Sequence, residues 1–324
     1  MYRLIEVISS KGHGDTIKAI TERFGATIVQ LADVQGDVEV SRVLADGEGL
    51  QELIDALQTA LRTDANWQLI IMPVEAALPK RTAEGETTAP AMETREELYT
   101  DMVAAAEGGR NFLLLAVLST VVASIGLVED NVAVVIGAMV IAPLLGPNLA
   151  FAFAVAMGDR PLMVRCIRTS ALGVAATLAV CIPIGLLWTG TLGSGELQAR
   201  TAVGLDSVAL AVASGLAAAL SLTTGLSTSL VGVMVAVALL PPAATLGIMA
   251  GAGAYRHALG AAMLLVTNIT AIILTAQVMF IVQGIGPRTW WEKRRAKASL
   301  KLNLWVLSTI MVVMIGLIEL AKYL

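Results

Sequence analysis

Gly137-Ala-Met-Val-Ile-Ala-Pro-Leu-Leu-Gly-Pro147 is apolar enough for a membrane interior, yet it carries Pro143, Gly146 and Pro147 within five residues. Proline has no amide proton to donate, and its ring obstructs the carbonyl four residues earlier, so a helix is expected to break here. In hydrocarbon an unpaired backbone group costs several kcal/mol. Broken backbone therefore survives there only when it is buried in protein or lines a watered cavity.

The surroundings of this stretch set its context. The chain has 324 residues, is 56% hydrophobic and 15% charged, and its mean hydropathy is +0.76. Few of the charges fall between residues 111 and 287, where apolar runs of helix-spanning length recur. Such runs read as transmembrane helices. Seven spans are expected, at about 111–128, 131–157, 169–190, 206–222, 228–251, 258–283 and 302–320.

A shift of 95 places sets Gly232-Val-Met-Val-Ala-Val-Ala-Leu-Leu-Pro-Pro242 against the opening stretch, with six of eleven positions identical, and Gly158 falls on Gly253. Three spans separate equivalent points, an odd number, so a second copy would enter the membrane in the opposite orientation. The expected architecture is an α-helical polytopic membrane protein with a 3+3 inverted repeat containing two broken helices. Paired discontinuous helices at matching places are the best sequence pointer to a transporter's binding site, because half-helix N-termini hold anions and freed carbonyls hold cations. The candidate pathway residues are Gly137, Pro143, Gly146, Pro147, Asn148, Gly232, Pro241, Pro242, Thr245 and Asn268. Packing kinks and helix-helix hydrogen bonds are the competing explanation for each residue taken singly.

Residues 1–79 differ in kind. Tyr2–Ser9 reads as a strand, and Asp15 as the cap of a helix carrying Ile17, Ile20 and Phe24 at helical spacing. Thr27–Ala32 and Val38–Leu44 flank a turn at Gln35-Gly36-Asp37. Leu50, Leu53, Ile54, Leu57 and Leu61 mark a second helix, and Trp67–Val74 a last strand. The order βαββαβ predicts an α+β ferredoxin-like soluble domain. The Lys11-Gly12-His13-Gly14-Asp15 loop reads as a tight turn, with an anion cradle as the alternative.

Residues 80–93, rich in Thr, Glu, Ala and Pro, read as a flexible linker. Thr94-Arg95-Glu96-Glu97 fits a capping box that starts an amphipathic surface helix over 94–109. The transmembrane inverted-repeat domain then covers 110–286, and 287–324 holds a basic loop and the last span. Arg160, Arg165 and Arg168 follow the second expected span, and Arg288 to Lys301 follow the sixth. The positive-inside rule then places the N-terminal domain in the cytoplasm and the C-terminus outside a cell (inner or plasma) membrane. Trp290, Trp291 and Trp305 read as interfacial anchors. Asp159 is expected to pair with Arg160, and Asp206 to cap a helix or pair with Arg200. The opening residues lack a long apolar stretch and a small-residue cleavage pattern, so no removable signal is expected.

Several functions are disfavoured. A net charge of −4 leaves no domain-sized basic face for nucleic acid. Cys166 and Cys181, fifteen residues apart on one helix, would stand about 22 Å apart and cannot bridge. Only His13 and His257 could serve a triad, and neither falls inside a span with a nucleophile, so no enzyme is expected. No cofactor or metal is expected, and no span carries a mid-membrane carboxylate for a proton relay.

Asn111-Phe-Leu-Leu-Leu, Ile136 to Pro147, Gly158-Asp159-Arg160, Glu196 to Thr201 and Val231 to Pro242 resemble the hydrophobic proteins grouped as domain of unknown function 389. The leading Arg3-Leu-Ile-Glu-Val and Lys11-Gly-His-Gly-Asp resemble the subgroup with an N-terminal α/β module. The resemblance implies a prokaryotic-type membrane protein and brings no substrate or catalytic residue with it. The expected function is a membrane transporter or channel for a small solute or ion, with a regulatory or assembly domain in the cytoplasm, and a homo-oligomer is expected. The alternative is a membrane-anchored sensor or scaffold whose soluble domain binds a ligand or partner.

Overall fold

A computed structural model describes residues 2–33, 37–46, 49–74, 94–190, 192–224, 238–287 and 290–321. The expected linker 80–93 therefore lies outside the described residues, as do Gln35, Gly36, Gly232 and the first part of the fifth expected span. The chain divides into two compact units, Met1–Leu98 and Tyr99–Leu324.

In the first unit, strands β1 (Tyr2–Ser10), β2 (Thr27–Asp33), β3 (Val38–Asp46) and β4 (Gln68–Val74) form an antiparallel sheet of order β2-β3-β1-β4. Helix α1 (Gly14–Arg23) follows β1, and α2 (Leu50–Ala60) follows β3. This is the βαββαβ connectivity that the hydrophobic pattern predicts. Alternation along β1 turns Ile5 and Val7 inward, where they meet Ile17 of α1 and Leu53, Ile54 and Leu57 of α2 in one buried core. Each such side chain taken fully out of water contributes roughly 1.5–3 kcal/mol. Asp15 does not cap α1. His13 holds the N-cap position without a side-chain cap bond, and Asp15 lies inside the first turn, where its charge faces the positive end of the helix dipole.

The capping box forms as the sequence predicts. The Thr94 amide donates to Glu97 Oε2 at 2.9 Å, and the Glu97 amide donates to Thr94 Oγ1 at 3.3 Å. Helix α3 runs from Arg95 to Ala105. Arg95 pairs with Asp55 at 2.8 Å, and Glu96 accepts from Gln51 and Gln58, so the first turn of α3 is tied to α2.

The second unit is helical. It comprises α4 (Arg110–Val128), α5 (Val132–Ile141), α6 (Leu145–Met157), α7 (Arg160–Leu187), α8 (Gly195–Ala199), α9 (Leu205–Thr223), α10 (Leu240–Gly251), α11 (Tyr255–Val282) and α12 (Trp290–Ala321). Among the described residues, five helices are long and apolar enough to cross a membrane, and the α5–α6 pair, bent by 50°, makes up to six. Of the fifth expected span only residues 238–251, which hold α10, lie within the described residues. The helix that holds the third expected span begins at Arg160, ahead of 169, that of the sixth at Tyr255, ahead of 258, and that of the seventh at Trp290, ahead of 302. Polar residues at a helix end lower the local hydropathy without ending the helix, so a helix can begin before the apolar stretch it carries.

Outward faces carry large apolar side chains such as Leu114, Leu118 and Val140, all more than half exposed, as a lipid-facing surface requires. Inward faces are small and weakly polar. Thr120 Oγ1 lies 3.2 Å from Thr177 Oγ1, and Ser124 Oγ 3.3 Å from Cys181 Sγ, joining α4 to α7 at close range. Both cysteines are free and buried on α7.

Candidate functional site

The break at residues 142–144 follows from its prolines. Ala142, the residue before Pro143, is driven to extended backbone, with φ −68° and ψ 124°, and closes α5. Leu144 then caps α6, in whose first turn Pro147 sits without a missing partner, since the first amides of a helix need none. Pro241 and Pro242 occupy the first turn of α10 in the same way, behind the N-cap Leu239. The two prolines that align at a shift of 95, Pro147 and Pro242, thus stand at corresponding places in two short helices.

An amide side chain holds a carbonyl at each of these helix starts. Asn148 Nδ2 donates to Leu144 O at 2.8 Å, and Asn268 Nδ2, from α11, donates to Ala238 O at 2.8 Å. Ser170 Oγ reaches Asn148 Oδ1 at 3.5 Å. Thr245 Oγ1, Thr267 Oγ1 and Asn268 Oδ1 are buried without a hydrogen-bond partner among the described residues. A buried polar oxygen left unpaired costs about 1–3 kcal/mol, so such a group marks a place where another polar species would be stabilised.

Of the candidate residues, Pro147, Asn148, Pro241, Pro242, Thr245 and Asn268 are buried, Pro143 and Gly146 are partly buried, and Gly146 packs close to Ala105. Gly137 is different. It lies on the exposed face of α5 beside Ile136 and Val140, and space is open where a Cβ would stand. It is not brought together with the others. Asp159 does not pair with Arg160. It caps α7 by accepting from the Leu162 amide at 3.0 Å, and it receives the Tyr99 hydroxyl at 2.8 Å. Arg200 pairs with Glu196 at 2.9 Å and not with Asp206, which lies in the first turn of α9 behind the N-cap Gly204. Ser170 and the Phe153–Phe280 ring pair are part of this region too, and only three-dimensional packing reveals them.

Element boundaries recur at the same interval as the motif. Helices α4 and α9 are each 19 residues long, α7 and α11 each 28, and every boundary in the second helix falls 95 residues after its counterpart. The ends of α6 and α10 close alike. Gly158 and Gly253 take left-handed φ of 73° and 74°. Their amides donate to Val155 O and Ala250 O, and the next amides, of Asp159 and Ala254, donate to Ala154 O and Met249 O. Helix α10 lies on α7 and α6 lies on α11.

In the first unit the loop before α1 is closed by Asp64. The carboxylate accepts from the Asn66 amide at 3.0 Å and from the Ser10 amide and hydroxyl at 2.7 Å each. These donors hold Asp64 down at about 2. His13 Nδ1 lies 3.0 Å from Ser10 O and 3.9 Å from Asp64 Oδ2. The Asp64 carboxylate thus serves donors on either side of the loop, Ser10 before it and Asn66 from far along the chain.

Apolar helices in this number are compatible with a membrane protein. The family described as domain of unknown function (DUF389) matches residues 139–274, a stretch that holds both proline-marked helix starts. An uncharacterised protein of Methanocaldococcus jannaschii is 31% identical over 262 residues, which is 81% of this chain and 82% of that protein. No solved structure matches the chain. The chain belongs to the DUF389 family.

Proposed function

We propose that the chain is a membrane transporter or channel for a small solute or ion, with its pathway where α6 and α10 begin. In this reading α4, the α5–α6 pair and α7 make one set of three spans. Helix α9, the segment that ends in α10, and α11 make the second, with α12 appended as the seventh span. Three crossings reverse direction, so the second set is inverted. The observation that carries the reading is the return, 95 residues on, of helix boundaries and left-handed glycine caps around two short, proline-started helices. Helix N-termini at corresponding sequence positions offer partial positive charge, and the buried oxygens of Thr245, Thr267 and Asn268 offer the uncharged polar lining that a solute or ion exchanges for water. The N-terminal unit regulates flux or assembles a homo-oligomer from the cytoplasmic side of the cell membrane.

Cysteine accessibility tests this reading. In protein lacking Cys166 and Cys181, Asn148→Cys and Thr245→Cys are expected to react with a small charged thiol reagent in intact membranes, although both native side chains are buried from the outer surface. Inertness at both positions would return the breaks to a packing role and put the sensor or scaffold reading in front.

A further inference from the structure

We propose that the first turns of α7 hold the phosphate of an anionic phospholipid. Arg160, Arg165 and Arg168 line a cavity of about 800 Å³ with Gly108, Thr169 and Leu172. All three arginines are exposed, and none forms an ion pair among the described residues. Asp159, the acid at the head of the helix, is occupied by the Leu162 amide and the Tyr99 hydroxyl. Three guanidinium groups in one hollow therefore present donors in the fork geometry that matches phosphate oxygens.

The rest of the hollow selects a lipid over a free anion. Arg160, Val164, Arg168 and Leu172 follow at intervals of four and share one face of α7. Val164, between the cations, is 48% exposed and Leu172, one turn beyond them, is 42% exposed, so apolar surface runs among and below the arginines. A helix of 28 residues is about 42 Å long against a hydrocarbon core of about 30 Å. The excess corresponds to roughly eight residues, which places the arginines at headgroup level and Leu172 at the depth of an acyl chain. Free phosphate has no use for that apolar floor. Charge placed only to orient the chain needs no hollow either. The positions 95 residues after Arg165 and Arg168 are Gly260 and Met263, so the cluster belongs to one of the two long helices alone.

Full-length protein in mixed micelles, titrated with phosphatidylglycerol or phosphatidylcholine and read by native mass spectrometry, tests the site. Wild type and the control Arg256→Gln, an exposed arginine on α11, are expected to retain phosphatidylglycerol about tenfold or more over phosphatidylcholine. Arg165→Gln/Arg168→Gln is expected to lose that preference. If the pair does not fold, Arg168→Gln alone carries the test, with a severalfold loss expected. An unchanged preference in the variant overturns the proposal, as does an equal loss in the Arg256→Gln control. Displacement of the lipid by millimolar inorganic phosphate would assign the hollow to a free anion and overturn it as well.

Discussion

Phe280 of α11 stands edge-on to Phe153 of α6, with ring centroids 5.8 Å apart and planes at 88°. At the positions related to these by 95 residues, Gly185 of α7 lies against Ile248 of α10, so close that a Cβ at Gly185 would run into the Ile248 carbonyl. The same helix crossing is thus filled by two rings in one place and by an isoleucine against bare backbone in the other.

The two crossings predict opposite sensitivities. Phe280→Ala opens a cavity and is expected to cost about 3–5 kcal/mol. Gly185→Ala overfills its crossing and is expected to cost about 1–3 kcal/mol. Thermal unfolding of detergent-solubilised protein checks both, and a neutral Gly185→Ala would contradict the close approach of α7 and α10.

Gly158 and Gly253 take the same left-handed backbone but not the same surroundings. A Cβ at Gly158 would meet Ala296 backbone at 2.9 Å, whereas Gly253 has open space. Gly253→Ala is expected to cost about 1–2 kcal/mol for the conformation alone. Gly158→Ala adds a steric penalty and should lower the unfolding temperature further. Equal effects would contradict the packing of α12 against the end of α6.

Asp64 makes the N-terminal unit sensitive to acid. Its folded pKa is depressed to about 2 from an ordinary 3.8, first by the Asn66 amide and then by Ser10. A depressed carboxylate contributes stability that is present above its unfolded pKa and is lost as pH falls through the folded one. Hydrogen exchange of β1 amides, corrected for intrinsic rates, is therefore expected to lose protection between about pH 4 and pH 2. Asp64→Asn should show weaker protection at neutral pH and a flatter response in that window. An unaltered profile would contradict the role of the cluster.

Local signals carried much of this architecture. The strands and helices of residues 2–74 are legible because β1 alternates strictly and the apolar positions of α2 keep helical spacing. Pro143 announces the break through its own chemistry and that of Ala142 before it. Asp15 misled because two residues near a helix start compete to cap it, and the choice rests on the backbone of His13. Arg160, Arg165 and Arg168 fall outside the expected spans because charge counts against a span in any hydropathy window, although the helix runs through them. Gly137 illustrates the larger limit. Its motif is shared with Gly232, but which face of α5 it occupies depends on neighbours far along the chain. The same holds for Asn268 and Ala238, thirty residues apart, and for Phe153 and Phe280.

Solute flux into proteoliposomes tests the central claim most directly. A panel of small anions, cations and zwitterions should be compared between wild type and Pro147→Ala/Pro242→Ala, the pair related by 95 residues. The account predicts selective flux of one solute class through wild type and its loss in a double variant that still folds. Absence of flux for every solute through demonstrably folded wild-type protein, or undiminished flux in the variant, would contradict a pathway at the starts of α6 and α10.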